Sequence, residues 1–216
     1  VLFRSQALIS GDTGSGKSFF LFSLLNGLIK SGAIVDVADP KETDLSVLGK
    51  TASLKYRVTY GRDRILKSFY RFYLEMIKRG REYHDLLNDN LEENVGNYRK
   101  YGLKPHFFVF DEFDDAFHQE LSGTLLEAFN AMETNTQFIL TSHELHLMDN
   151  QLRKDQIYFT DKNYRGASEL YALYDFEADP KKGRGDITYY RRYLNGLFGG
   201  VPHIDRSEIV QAEIGR

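Results

Sequence analysis

Cysteine is absent from all 216 residues. That excludes disulfides, thiolate zinc centres and cysteine nucleophiles, and it fits a chain that works in a reducing cytoplasm. Long apolar runs are missing as well. The most apolar stretch, Phe19 to Ile29, falls far short of the roughly 20 residues that a membrane-spanning helix needs, and Ser23, Asn26 and Gly27 interrupt it. The chain does not open with a basic region followed by an apolar one, so no secretory leader is read. Nor does one charge dominate. Twenty-eight Lys and Arg stand against 31 Asp and Glu, a formal charge of −3, so contact with nucleic acid would have to come from a local basic surface. Internal repeats and low-complexity tracts are not found.

What remains is an ordinary globular composition, 42% hydrophobic and 27% charged, at a length that suits one α/β domain and hardly two. That domain is expected to span residues 6–205. Residues 1–5 and 213–216 read like translated sequencing-adapter DNA and are expected to be non-native ends. The chain starts a few residues before its glycine-rich motif and lacks an initiator methionine, which suggests a fragment.

Hydrophobic periodicity divides the chain. Gln6 to Ser10 reads as the end of a buried strand and Lys17 to Lys30 as a helix closed by Ser31-Gly32. Ala33 to Ala38 is a strand that Pro40 stops, and Tyr56 to Tyr60 is another. A long helix from Arg62 to Leu87 carries Ile65, Leu66, Phe69, Phe72, Tyr73, Met76 and Ile77 on one face. Arg62, Arg64, Lys67, Arg71, Lys78, Arg79 and Arg81 form the other. The polar stretch from Asn88 to Lys104 reads as a mobile insertion or short helix. Phe107 to Phe110 is a strand buried on both faces, Leu121 to Met132 a helix, and Gln137 to Thr141, Gln156 to Thr160 and Leu170 to Phe176 further strands. Lys181 to Gly185 reads as an exposed loop. Strands alternating with helices predict an α/β fold whose mainly parallel sheet is flanked by helices.

Gly11-Asp12-Thr13-Gly14-Ser15-Gly16-Lys17-Ser18 matches the phosphate-binding loop at every fixed position. Several backbone N–H groups must close on the phosphates together, so Gly11, Gly14 and Gly16 are expected in dihedrals that only glycine tolerates. The helix opening at Lys17 points its positive end at the same place, with Phe19 in its first turn. Lys17 would reach the β and γ phosphates and the Ser18 hydroxyl would serve Mg2+. The motif does not itself choose between ATP and GTP. The guanine-reading Asn/Thr-Lys-x-Asp is absent, and Asp161-Lys162-Asn163 has the wrong order, which favours ATP.

The apolar run His106 to Phe110 delivers Asp111 and Glu112 at a strand end. Asp111 would hold magnesium and Glu112 would polarise the attacking water. Thr141-Ser142-His143 closes the next strand, where His143 is either a sensor of the γ phosphate or a solvent-exposed loop histidine. His143-Glu144-Leu145-His146 is not a zinc peptidase motif, because its histidines lie three apart instead of four. Asp111, Glu112, Asp114 and Asp115 would also suit a two-metal nuclease, but the sequence offers neither a second carboxylate cluster nor a catalytic lysine nearby.

Two family resemblances follow from these residues. Residues 6–112 resemble the FtsK/SpoIIIE DNA-translocase family, its conjugative-element relatives above all. The matching residues are Leu8 to Ser18, Val37-Ala38-Asp39-Pro40-Lys41 and Phe108 to Phe113. The resemblance implies a RecA-like, hexameric P-loop NTPase that pumps double-stranded DNA using ATP. Residues 110–205 are similar to ABC-like AAA ATPases of the abortive-infection type on Phe110 to His118, Phe138 to Glu144, Arg153 to Phe159 and Tyr193 to Gly196. That resemblance implies a homo-oligomer that dimerises on ATP. Asp111 and Glu112 would then be the magnesium and catalytic acids, Asp114 or Asp115 the following aspartate, and His143 the switch residue. Both patterns have departures. Leu121-Ser122-Gly123 follows the Asp111 strand where the ABC signature should precede it, and a translocase would carry glutamine in place of His143. The segment Asp111-Glu112-Phe113 belongs to both resemblances, so it is the expected junction of a chimera.

Overall fold

The computed structural model describes residues 6–11, 14–42, 44–90, 102–117, 119–131, 137–143, 147–150, 152–163, 165–176, 189–194 and 198. The suspected ends, Asp12, Thr13, residues 91–101 of the insertion, 144–146, the loop 181–185 and Asn195-Gly196 lie outside them.

Strand β1 (Ala7–Ser10) runs through the glycine-rich loop into helix α1 (Lys17–Lys30). Strand β2 (Ile34–Ala38) follows, then a 3-10 helix (Asp44–Lys50), β3 (Val58–Thr59) and the long α2 (Arg62–Asn90). Next come β4 (His106–Phe110), the short α3 (Phe113–Ala116), α4 (Gln119–Ala131) and β5 (Gln137–Ser142). The chain continues through α5 (Leu147–Asn150), β6 (Ile157–Lys162), β7 (Ser168–Ala172) and α6 (Tyr189–Leu194). The order in the sheet is β3-β2-β4-β5-β1-β6-β7. Every pairing is parallel except β6 with β7. The expected mainly parallel sheet is present, with one antiparallel edge strand. Because β4 pairs with β2 on one side and β5 on the other, the two segments of differing resemblance share one continuous sheet.

Period-two alternation sorts the strand side chains onto two faces. Leu8, Phe108, Phe110, Phe138, Leu140 and Phe159 meet Phe72 of α2 and Phe129 of α4 on one face. There Phe129 stacks on Phe138 at 3.9 Å, and Phe72 meets Phe108 edge-on at 5.1 Å. Ile9, Val35, Val37, Val109 and Ile139 meet Leu21 and Leu25 of α1 on the other.

Two features differ from the sequence expectation. β2 contains Asp36, only 1% exposed, a buried charge that the strand assignment does not anticipate. It accepts from Arg57 at 3.2 Å and Arg71 at 3.1 Å and lies 2.7 Å from His106 Nε2, so its charge is compensated where solvent cannot reach it. Arg71 is thereby drawn out of the basic face of α2 and into an ion pair that ties α2 to the sheet. On the expected apolar face of α2, Ile65, Phe72 and Met76 are buried, while Leu66 faces outward.

Candidate functional site

β1 ends at Gly11, and the loop returns to start α1 with Gly16 as its N-cap. That helix begins with no side-chain cap and no acid in its first turn, so its positive end is offered to an anion from outside. Gly14 and Gly16 take φ values of +84° and +100°, the left-handed region that glycine alone enters freely. Gly11 does not, contrary to expectation. It must be glycine for a different reason: an added Cβ would lie 2.6 Å from the Thr160 carbonyl oxygen and 2.7 Å from Ser15 Oγ. Close approach also fixes Gly16, whose Cβ would run into the Ser168 side chain. β6 and β7 thus form a floor under the loop. Ser15 Oγ and Thr160 Oγ1 bond across it at 2.8 Å. Neither Thr160 nor Ser168 stands out in the sequence, because only the strand order brings them beneath Gly11 and Gly16.

Lys17 is 8% exposed. Its ammonium donates to the Gly11 carbonyl and lies 3.5 Å from His143 Nδ1. An ammonium can only donate, so a hydrogen bond here would make His143 Nδ1 the acceptor and leave Nε2 to carry the proton. That nitrogen faces Glu112 Oε1 at 3.7 Å. The backbone N–H of His143 donates to the Asp114 carboxylate at 3.1 Å. The structure therefore gathers Lys17, Glu112 and His143 at the carboxyl ends of β1, β4 and β5. Ser18 is half-buried in the first turn of α1, and Phe19 is 77% exposed.

β5 lies between β1 and β4, which puts Thr141 between the loop and the acids. Its hydroxyl donates to Asp111 Oδ1 at 2.6 Å and accepts from the Glu112 N–H at 2.7 Å. One side chain thus clamps both acids. Glu112 has φ 49° and ψ 59° at the N-cap of α3. A left-handed conformation in a residue that is not glycine costs of order 1 kcal/mol or more and persists where its surroundings enforce it.

Burial raises the pKa of Asp111, an effect that the Thr141 hydrogen bond partly offsets and that the charges of Glu112 and Asp39 reinforce. A cation beside this carboxylate would relieve all three, which is the demand that magnesium meets. The raised pKa means that the folded protein holds this proton more tightly than the unfolded chain does. Its stabilising contribution is complete below the unfolded value and is lost as pH rises through the folded one. Without nucleotide and magnesium, Asp111→Asn should therefore melt at a higher temperature than the wild type at pH 7. The gap should close as pH falls through the carboxylate range. Melting curves across that range check both signs.

No family model matches the chain. Over 106 residues the chain is 34% identical to an FtsK domain-containing protein of Bacillus subtilis, YdcQ, a match covering 49% of this chain and 21% of that protein. The conjugation coupling protein TcpA of pCW3, solved as a monomer with ATPγS, superposes with a TM-score of 0.51 at 20% identity. That likeness covers 74% of this chain and 49% of TcpA. The cytoplasmic domain of EssC gives a TM-score of 0.51 at 13% identity, over 74% of this chain and 32% of its own. The chain thus spans about half or less of the length of each of these proteins. The fold is like that of TcpA and of the cytoplasmic domain of EssC, and the likeness runs over more of the chain than residues 6–112 supply. Among the described residues no helix is long and apolar enough to cross a membrane.

Proposed function

We propose that residues 6–205 form one magnesium-dependent ATPase domain whose turnover drives movement along double-stranded DNA. The observation that supports this most is the convergence of Lys17, Asp111, Glu112 and His143 beside an uncapped helix N-terminus. The loop N–H groups from Gly11 to Ser18 and the Lys17 ammonium would hold the triphosphate, with Asp12, Thr13 and Phe19 completing that segment. Ser18 and Asp111 would hold magnesium, which neutralises phosphate charge when bound. Glu112 orients the attacking water and accepts its proton as the oxygen bonds to phosphorus and the bond to the leaving diphosphate breaks. Thr141 holds Glu112 and Asp111 in register. His143 Nε2–H faces the same space and would donate to the γ phosphate.

The DNA partner rests on the similarity to an FtsK domain and on Arg62, Arg64 and Lys67 along the exposed face of α2. In this reading the working form is a homo-oligomer, a hexamer as in DNA translocases, acting in the cytoplasm. Duplex DNA should raise the ATPase rate severalfold at low salt, and the increment should fall steeply between about 50 and 200 mM salt. A rate indifferent to DNA removes the motor reading. The alternative is the ABC-like switch, with its aspartate at Asp114 engaging His143. It gains if Glu112→Gln dimerises on ATP without DNA.

A further inference from the structure

Lys41 lies outside the phosphate loop and the strand-end acids, yet the fold brings it to the middle of the site. Asp39 follows β2 and is 1% exposed. Its carboxylate accepts from the Ser46 N–H at 2.9 Å, and its carbonyl accepts from the Glu42 N–H at 3.2 Å. Pro40 fixes its own φ, and Glu42 takes φ 54°. The tight turn at 39–42 is therefore defined on both sides of Lys41. Because β2 pairs with β4 and Asp111 N–H donates to the Ala38 carbonyl, that turn sits directly beside the segment 111–115. The Lys41 ammonium reaches Glu112 Oε2 at 2.7 Å and Asp115 Oδ2 at 2.7 Å. The other Glu112 oxygen is the one that faces His143.

We propose that Lys41 is a positioning residue. Braced against Asp115, it holds one oxygen of Glu112 so that the other is presented to the attacking water. The proposal rests on the reading of Glu112 given above. Stability does not account for the arrangement, since the Lys41 side chain is 45% exposed and ion pairs at such sites contribute about 0–1 kcal/mol. Orientation does. A glutamate has three side-chain torsions to immobilise, and a misplacement of about 1 Å at a reacting group can cost two orders of magnitude in rate. The two carboxylates also hold the Lys41 ammonium charged well above its ordinary range, with the Asp115 hydrogen bond the larger cause.

The test is steady-state ATP hydrolysis by full-length Lys41→Ala, alongside ATPγS titration. The proposal predicts kcat lower by about ten- to a hundredfold and an ATPγS Kd within about twofold of wild type. Lys41→Arg, which can bridge both carboxylates, should recover most of the rate. Added to Glu112→Gln, Lys41→Ala should cause no further loss, because residues that act through one group are not additive. Turnover by Lys41→Ala at or above the wild-type rate overturns the proposal. So does a loss carried by Kd, or a full further loss on top of Glu112→Gln. A wild-type protein that binds ATPγS but never releases phosphate overturns the hydrolysis reading and Lys41's role with it. Wild-type turnover with an indifferent Lys41→Ala overturns the role of Lys41 alone.

Discussion

Glu112→Gln should lower the ATP turnover number by about two to four orders of magnitude while leaving nucleotide affinity within about twofold. Glutamine keeps the size of the side chain and can accept from Lys41 through its amide oxygen, so the 2.7 Å contact can be retained without its ionic part. What glutamine lacks is a carboxylate to take the proton of water. The left-handed backbone at φ 49° is present with either side chain, and Thr141 still accepts from the backbone N–H. The loss should therefore appear in single-turnover phosphate release and not in the melting temperature. If binding weakens in parallel with turnover, Glu112 acts on the ground state and the assignment is wrong.

Lys17→Ala should weaken ATP binding by about a hundredfold or more. Hydrogen bonds to charged groups contribute about 1.5–3 kcal/mol each, and the ammonium would make at least two with the β and γ phosphates. Its position is prepared for this. The stem is buried and the head is held between the Gly11 carbonyl and His143 Nδ1, so little side-chain freedom is left to lose on binding. Lys17→Met keeps the packed stem and removes only the charge. It should weaken binding as much as alanine does, which separates charge from packing.

The local part of this site was legible in the sequence. Loop spacing, the strand before it and the 3.6-residue period after it placed α1 at Lys17–Lys30. The apolar run placed β4 one residue from its expected start and delivered Asp111 and Glu112 at its end. Such features depend on neighbours within one turn or one strand. What could not be read depends on strand order. Thr141 clamps the two acids because β5 enters between β1 and β4. Thr160 and Ser168 lie under the loop because β6 and β7 extend the sheet past β1.

Lys41 entered the sequence reading only as part of a family pattern. Its pairing with Glu112 becomes visible once β2 and β4 are neighbours. Asp36 was missed for the same reason, since Arg57, Arg71 and His106 reach it from β3's approach, α2 and β4. The reason expected for Gly11 was also wrong. Periodicity and motif say that glycine is needed there, but they do not distinguish a positive φ from a close neighbour.

The account turns on a grip that recognises the phosphate chain and needs magnesium. Equilibrium titration of the wild-type protein with a fluorescent ATP analogue, with and without magnesium and then with inorganic tripolyphosphate as competitor, tests it directly. The account predicts saturable binding at about one nucleotide per chain, stronger with magnesium, and displacement by tripolyphosphate. Binding that fails to saturate, or an analogue displaced by adenosine and not by tripolyphosphate, would contradict it.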